Sequence, residues 1–177
     1  MGQSFLIQSP HLQIQTMNIR PHRLDDLMFL KQIMAQVFEG VSLDQAMEQK
    51  FGLISEHDWK WRKTQHLDVD VNRKYSEIFV AEVEGKITGF ITTWQDKNSG
   101  IGHIPNIGIV PEFQGRGLGR KLILHALNYF RHSGLTHAKI ETLIQNDVGN
   151  HLYTSVGFRE IARQIHFVGD LDKMEYP

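Results

Sequence analysis

The most informative segment of the chain reads Val110-Pro-Glu-Phe-Gln-Gly-Arg-Gly-Leu-Gly-Arg120. It follows an apolar, strand-like run from Ile104 to Val110 and leads into an amphipathic helical pattern from Leu118 to Phe130. Three glycines within five positions let the backbone turn tightly and approach a ligand without interference from Cβ atoms. Because a helix begins at this turn, its unpaired N–H groups and its dipole favour a bound anion. The segment therefore predicts a phosphate-binding turn between a strand and a helix.

Two common nucleotide motifs do not fit this turn. The dinucleotide pattern G-x-G-x-x-G matches Gly115 and Gly117 but meets Arg120 at the position of its third glycine. The Walker A pattern needs Gly-Lys-Ser/Thr, which the chain does not supply. The residues from Gln114 to Gly119 do match Gln/Arg-x-x-Gly-x-Gly/Ala. A glycine-rich turn without a ligand is the alternative interpretation.

A second motif lies in residues 140–158, which read Ile-Glu-Thr-Leu-Ile-Gln-Asn-Asp-Val-Gly-Asn-His-Leu-Tyr-Thr-Ser-Val-Gly-Phe. The pattern Asn-x-x-Ala-x-x-Leu-Tyr-x-x-x-Gly-Phe is matched by Asn146, Leu152, Tyr153, Gly157 and Phe158, with Gly149 at the alanine position. Both motifs occur in the order and at the separation typical of one family. The chain therefore resembles the GCN5-related N-acetyltransferases (GNAT family).

The resemblance implies that acetyl-CoA is the cosubstrate and that its pyrophosphate rests on the glycine turn. Ile107, Gly108 and Ile109 are expected to pair their backbone with the pantetheine arm, as an added strand would. Gly108 is expected to leave room there, although a glycine within a strand can also mark a bulge. The other expected cofactor-binding residues are Gln114, Gly115, Arg116, Gly117, Leu118, Gly119 and Arg120 at the pyrophosphate, and Asn146 at the arm.

Tyr153 is the expected acid that protonates the departing thiolate. A phenol with a pKa of about 10 is protonated at neutral pH, whereas a thiol titrates near roughly 8.5. The transfer is then uphill by about 2 kcal/mol, which a dry pocket that destabilises the thiolate could offset. The alternative is that Tyr153 merely packs beside Leu152 on an amphipathic helix.

Glu141 is the expected general base for the attacking amine. It lies five residues before Asn146, where members resembling the ribosomal-protein N-terminal acetyltransferases carry a glutamate that acts through water. Those members often carry arginine where this chain has Leu143. An ordinary solvated glutamate is the alternative, and Asn106 and His103 could order a water relay instead.

Composition sets the remaining limits. The chain has 177 residues, with 19 Lys and Arg against 20 Asp and Glu, so no overall field favours nucleic acid or an anionic membrane. The absence of cysteine excludes disulfides and thiolate metal sites and agrees with a cytoplasmic protein. No apolar run approaches the roughly 20 residues that span a bilayer. We expect residues 1–11 to be a disordered leader or an expression remnant, and residues 12–177 to form one acetyltransferase domain.

The predicted elements follow the order β-α-α-β-β-β-α-β-α-β-β. The residues alone indicate a mixed α/β sheet with helices on its faces. The resemblance implies a single GNAT-type α/β (α+β) domain with a twisted, mixed, mostly antiparallel central sheet flanked by helices. The predicted strands are Leu12 to Arg20, Ile78 to Val83, Lys86 to Trp94, residues 101–110, His137 to Ile144, and a closing hairpin arm from Arg159 to Val168.

The helical predictions are uneven along the chain. Asp25-Asp26 indicates a helix start, and Gly134 a helix end after the Leu118 helix. Residues 42–75 are harder to interpret: Ser42 and Ser55 are candidate helix caps, and Leu67 to Asn72 is predicted as loop or short strand.

Two further patterns, the histidines and a tryptophan-lysine run, have ordinary explanations. The 10 histidines have no H-E-x-x-H or comparable spacing, so we expect no metal site. The run Trp59-Lys-Trp-Arg-Lys63 resembles a nucleic-acid patch, but the near-neutral charge favours a helix that packs Trp59 or Trp61 near the acceptor cleft.

The resulting functional expectation is an acetyl-CoA-dependent N-acetyltransferase that acts on the primary amine of a small molecule or peptide by direct attack in a ternary complex. The alternatives are a non-catalytic acyl-CoA sensor on the same fold and, more weakly, a nucleic-acid function. We expect no membrane partner. Members of the family commonly pair through sheet edges or C-terminal strands, so the resemblance also allows a homodimer.

Overall fold

The computed structural model describes residues 3–8 and 14–175. The strands are β1 (Gln3–Gln8), β2 (Ile14–Pro21), β3 (Ser76–Val83), β4 (Lys86–Asp96), β5 (Ile101–Ile104), β6 (Ile107–Ile109) and β7 (His137–Ile140). The helices are α1 (Leu27–Val37), α2 (Leu43–Phe51), α3 (Trp59–Asn72), α4 (Leu118–His132) and α5 (Asp147–Ser155). Short 3-10 helices lie at Leu24–Asp26, Pro111–Phe113 and Leu171–Lys173.

The strands form one sheet in the order β1-β2-β3-β4-β5-β7, and β6 also pairs with β4. The β5–β7 pair is parallel, and the other described pairs are antiparallel. The predicted mixed, mostly antiparallel sheet is therefore confirmed. The β3–β4 hairpin is also confirmed: its turn residues Glu84 and Gly85 have φ of 51° and 76°, as a tight two-residue hairpin turn requires.

Each face of the sheet buries its own apolar cluster. On one face α4 packs Leu118, Leu122 and Phe130 against the sheet, and α5 contributes side chains at the margin. On the other face α1 and α3 pack Leu30 and Leu67 against strand residues that include Phe90. The long strand β4 serves both clusters because its side chains alternate between the faces.

The strand predicted over residues 101–110 is broken in the middle. Pro105 and Asn106 separate β5 from β6, and proline has no N–H for a sheet ladder. The Asn106 carbonyl still accepts the Thr92 N–H at 2.8 Å, so both halves stay on β4. The pairing of β7 with β5 ends at Ile104, however, and in the described residues β6 pairs with β4 alone. The sheet thus opens between β6 and the chain after β7.

The predicted leader differs from the expectation where the structure describes it. Instead of being disordered, Gln3–Gln8 forms β1 and pairs antiparallel with β2, whose edge supplies partners for its backbone groups. The remaining leader residues lie outside the described part of the chain.

The prediction of a loop or short strand at Leu67 to Asn72 is wrong, because these residues end α3. The helix starts after Asp58, whose carboxylate accepts the Trp61 N–H at 2.7 Å. Ser55, a predicted cap, lies upstream of that start, whereas Ser42 does occupy the N-cap position of α2, although its side chain does not cap the helix N–H groups.

The predicted hairpin arm at residues 159–168 is also wrong. The segment has no strand in the structure, and its apolar side chains are exposed, with Ile161 and Phe167 both at 89%. The alternating pattern is present in the sequence, but no described strand of this chain pairs with it.

Candidate functional site

The glycine turn has the geometry that its sequence predicts. Gly115 and Gly117 have φ of 72° and 77°, a region that favours glycine, and Gly117 is the N-cap of α4. The Lys121 N–H makes the first helical bond, to the Gly117 carbonyl, so the preceding helical N–H groups have no acceptor within α4. A Cβ built on Gly115 or Gly117 would meet no atom within 4 Å. The two glycines therefore face open space, and no acceptor for these N–H groups is seen among residues 3–8 and 14–175.

The side chains of the turn have separate structural contacts. The Gln114 amide donates to the Ile109 carbonyl at 3.0 Å and fastens the turn to β6. The Arg116 guanidinium lies 5.0 Å from the centre of the Phe113 ring. Arg120 donates to the Ser155 carbonyl at 2.8 Å, where the C-terminal end of α5 attracts a cation. In this structure Arg120 joins the two helices beside the turn.

Gly108 has a packing role that differs from the expected one. A Cβ at this position would lie 2.9 Å from both Phe90 Cε1 and Val37 Cγ2. Glycine here lets α1 approach the sheet. Its expected role beside a pantetheine arm stays a prediction. Ile107 and Ile109 lie on β6, whose edge away from β4 has no strand partner among the described residues. Their pairing with the pantetheine arm stays a prediction.

Asn146 is the N-cap of α5. Its Oδ1 accepts the Gly149 N–H at 3.0 Å, and its Nδ2 donates to Thr142 Oγ1 at 2.8 Å. A Cβ on Gly149 would lie 2.6 Å from Asn146 Nδ2. The folded-back amide explains why glycine stands at the position where the family pattern has alanine.

Tyr153 is largely buried on the α4 side of the sheet. Its ring packs against the apolar cluster of that face and lies edge-on to Phe158, with centroids 6.4 Å apart. Burial raises the pKa of its phenol to about 12. Tyr153 is therefore a firmly protonated hydroxyl in an apolar setting.

Glu141 follows β7 directly and lies on the opposite, α3 side of the sheet. Its carboxylate pairs with Lys139 Nζ at 2.8 Å, and its side chain is 64% exposed. Lys139 is the register partner of His103, which stacks on Trp94 with centroids 4.0 Å apart. Burial, followed by the charge of Lys139, lowers the pKa of His103. The structure thus brings Glu141 and His103 together beside the strand break, with Tyr153 across the sheet.

A buried polar network stabilises the break from the α3 side. Lys63 Nζ donates to Asn106 Oδ1 at 2.8 Å, and Asn106 Nδ2 donates to Asp70 Oδ2 at 2.9 Å. The Asn106 backbone N–H donates to Thr92 Oγ1 at 3.1 Å. Asn106 is 3% exposed, and its amide is bonded to Lys63 and Asp70. Its amide therefore stabilises the fold instead of ordering a water relay, which the sequence had left open. Burial lowers the pKa of Lys63 to about 8 and raises that of Asp70.

The sequence interpretation missed this network, although one signal was present. Trp59, Lys63, Leu67 and Asp70 follow each other at helical spacing, and all four are buried. Because Lys63 and Asp70 are charged, a search for apolar residues at helical spacing does not detect this stripe. Of the two tryptophans in the Trp-Lys run, Trp59 packs inside, while Trp61 stays 46% exposed and stacks on His57. A position near the acceptor cleft stays a prediction.

The buried Lys63 is expected to give the stability of the protein a distinct pH dependence. Its pKa is about 8 when folded and 10.5 ordinarily, so between these values the unfolded chain holds more protons. The free energy of unfolding should therefore rise from pH 8 to pH 10.5, by at most about 3 kcal/mol. Urea unfolding of wild type and Lys63→Met across this range measures the rise as a difference between the two proteins.

The matched control is Lys60→Met, which removes an exposed lysine one turn away on α3. It should keep the wild-type pH dependence. A wild-type stability that stays parallel to that of Lys63→Met from pH 8 to 10.5 would show that Lys63 titrates normally.

The chain belongs to the acetyltransferase (GNAT) family, whose sequence model matches residues 41–158. A mycothiol acetyltransferase from Tsukamurella paurometabola is 33% identical over 87 residues, 49% of this chain and 30% of that protein. The chain spans only about a third of the length of the first curated relatives it matches.

Solved structures of acetyltransferases share the fold. The aminoglycoside N-acetyltransferase AAC(6')-Iy, in complex with CoA, matches with a TM-score of 0.65 at 17% identity, over 91% of this chain and 98% of the other. The PaiA N-acetyltransferase from Thermoplasma acidophilum, in complex with coenzyme A, matches with a TM-score of 0.65 at 19% identity, over 81% and 89% of the two chains. At these identities the match concerns the fold.

Residues 3–8 and 14–175 contain neither a candidate membrane span nor a candidate metal site. No helix there is long and apolar enough to cross a bilayer. No group of three or more His, Cys, Asp or Glu side chains in those ranges is arranged to hold a metal ion.

Proposed function

We propose that the protein is an acetyl-CoA-dependent N-acetyltransferase that transfers an acetyl group to a primary amine by direct attack in a ternary complex. The observation that carries the proposal is the opening between β6 and the chain after β7. A glycine turn with free N–H groups lies at one end of this opening, and the strand break lies at the other.

The residues around the opening fit acetyl-CoA, which supplies the acetyl thioester. The first N–H groups of α4 would bind the pyrophosphate, because they are unpaired and lie at the positive end of a helix dipole. The free edge of Ile107 and Ile109 would hydrogen-bond the pantetheine amides in the manner of an added strand. Asn146 Nδ2 donates one of its two protons to Thr142, and the other would hydrogen-bond the pantetheine arm.

Tyr153 and Glu141 would move the protons of the reaction from opposite sides of the opening. Tyr153 would donate its hydroxyl proton to the departing sulfur on the α4 side. Glu141 would accept the amine proton, through water, on the α3 side, where its exposed carboxylate already holds Lys139. A base and an acid on opposite sides need not compete for the same proton.

Glu141→Gln is expected to lower kcat roughly 100-fold at neutral pH, since general base catalysis is typically worth this much or more. The loss should shrink as the pH rises, because an amine that deprotonates by itself no longer needs the base. The measurement is a pH profile of kcat for both proteins. Glu160→Gln, which removes an exposed glutamate paired with Arg163, is the control. A loss that is constant across pH would point to a structural effect instead.

The direct test of the proposed function is the release of free CoA thiol from acetyl-CoA in the presence of a panel of amines. Release that depends on an amine supports transfer. CoA binding without release on any amine, in folded protein, would favour the sensor function and overturn the proposal.

The acceptor class and the assembly belong to the same proposal. The named relatives are acetyltransferases of mycothiol and of aminoglycosides, which supports a small-molecule amine as acceptor. A homodimer is supported by the exposed apolar residues of segment 159–168, which a second copy could cover, and its test is the mass in solution. A cytoplasmic location stays a prediction from the lack of cysteine.

A further inference from the structure

A groove of about 440 Å³ lies at the end of the sheet, between the chain after α3 and the turn from β4 to β5. Its walls include Arg73, Lys74, Tyr75, Trp94, Asp96 and Lys97, and we call it the basic groove. No other part of the proposed mechanism uses these residues.

The basic groove carries an excess of positive charge. In the part of the chain that the structure describes, Arg73, Lys74 and Lys97 form no ion pair with a carboxylate. Asp96 does line the groove, but its Oδ1 accepts the backbone N–H groups of Asn98 and Ser99 at 3.1 and 3.2 Å. This carboxylate keeps its charge but is bound to the turn, so three cations and one acid line the groove. Arg73 also interacts with the charge of Asp70.

Aromatic rings hold these cations in place without neutralising them. The Arg73 guanidinium lies 4.7 Å from the centre of the Trp94 ring. Lys74 and Lys97 lie 4.7 and 4.4 Å from the centre of the Tyr75 ring. A cation over a ring keeps its full charge, so it can still attract an anion.

The backbone conformation of Tyr75 keeps its ring at the groove. Its φ of 61° is unusual for a bulky residue, and its carbonyl is fixed by the Gln95 N–H at 3.0 Å. The ring is 46% exposed, so both lysines remain within reach of solvent. The groove is therefore a built feature with its charges on the open side.

The basic groove lies next to the proposed reaction site. Trp94 forms its inner wall and stacks on His103, which shares its side of the sheet with Glu141. Thr92 holds the strand break by its hydrogen bond with Asn106. Trp94 lies two positions after Thr92 on β4, which is a rise of about 7 Å along the strand.

We propose that the basic groove binds an acidic group of the acceptor, a carboxylate or a phosphate, while the amine of the same molecule reacts at the break. This inference rests on the proposed function, because the break is the reaction site only if the arm follows β6 away from the glycine turn. The short span along β4 between the break and the groove favours acceptors that carry the acid at the far end of a short chain from the amine. Polycationic amines are disfavoured, because the three cations repel them.

The test compares acceptors that differ in the acid alone. With acetyl-CoA saturating, kcat/KM for 6-aminohexanoate should exceed that for pentylamine by about tenfold, as a few partly exposed ion pairs would give. The shorter glycine should lose this advantage, and added salt should reduce it. An aminoalkyl phosphate of equal length tells whether carboxylate or phosphate is preferred.

The double variant Arg73→Gln/Lys97→Gln should abolish the preference for the acid while leaving the rate on pentylamine within about twofold of wild type. The matched control, Lys86→Gln/Arg131→Gln, removes the same charge from exposed sites elsewhere and should keep the preference. Equal rates on the paired acceptors in wild type, with normal CoA release, would overturn the groove inference and leave the proposed function intact.

A binding measurement keeps the inference testable if no amine is turned over. Hexanoate, which has the acid but no amine, should shift the indole N–H signal of Trp94 in NMR spectra of the wild type and not of the double variant. The absence of a shift at millimolar hexanoate in folded wild type would overturn the inference, whatever the enzyme assay shows.

Discussion

Gly117→Val is expected to weaken CoA binding by at least about 100-fold, the equivalent of two lost hydrogen bonds to a charged group. Gly117 has a φ of 77° and begins α4, so a β-branched residue here is strained and places its methyl groups in front of the free N–H donors. The measurement is the Kd of CoA by calorimetry on protein whose helix content and melting temperature have been checked.

Gly134→Val is the matched control for this variant. Gly134 follows the other end of the same helix with a φ of 82°, and a Cβ there also meets no atom within 4 Å. Both substitutions therefore cause similar backbone strain, but Gly134 lies away from the turn. Equal CoA affinity in the two folded variants would show that the turn does not bind the pyrophosphate.

Tyr153→Phe is expected to lower kcat roughly 100- to 10,000-fold, the usual contribution of a positioned acid, and to change the Kd of CoA less than about twofold. The hydroxyl is lost while the ring keeps its packing against the core. The pKa of about 12 makes the phenol a reluctant donor: against a solvated thiolate the transfer is uphill by roughly 5 kcal/mol. Burial must therefore raise the pKa of the thiol as well for this step to be efficient.

The pH profile distinguishes this role from packing. Because its pKa is about 12, Tyr153 stays protonated through pH 10, so the wild-type rate should show no alkaline decline from this group below that pH. Tyr129→Phe, which removes a half-buried phenol from α4, is the control and should retain activity. Unchanged kcat in Tyr153→Phe at every pH would exclude it as the acid.

Local sequence signals predicted the parts of the fold that depend on neighbouring residues. The glycine turn, the helix that begins at Leu118 and the hairpin at Glu84-Gly85 each follow from backbone conformations that few residues adopt. These elements carry several of the candidate site residues. Their chemical roles are still predictions that the variants above test.

Features that depend on distant contacts could not be predicted. The sequence predicts a strand from Leu12 to Arg20 but not which side of it is buried. In β2 Thr16 is exposed while Met17 and Ile19 are fully buried, because pairing with β3 determines the buried face. Lysine is rarely buried, so a helical stripe that contains Lys63 does not indicate a buried face in the sequence. Its partner Asn106 is 43 residues away in sequence.

The short length of β6 affects how the protein behaves in concentrated solution. An unpaired strand edge normally invites other chains to pair with it and to aggregate. This edge is three residues long and is bounded by a proline-containing break and a helix start, so it offers a foreign strand too few partners for stable pairing. A ligand seated there, at about 100 times its Kd, would add about 2.7 kcal/mol to the free energy of unfolding. If the proposed function is correct, CoA at such a concentration should therefore raise the melting temperature of the purified protein.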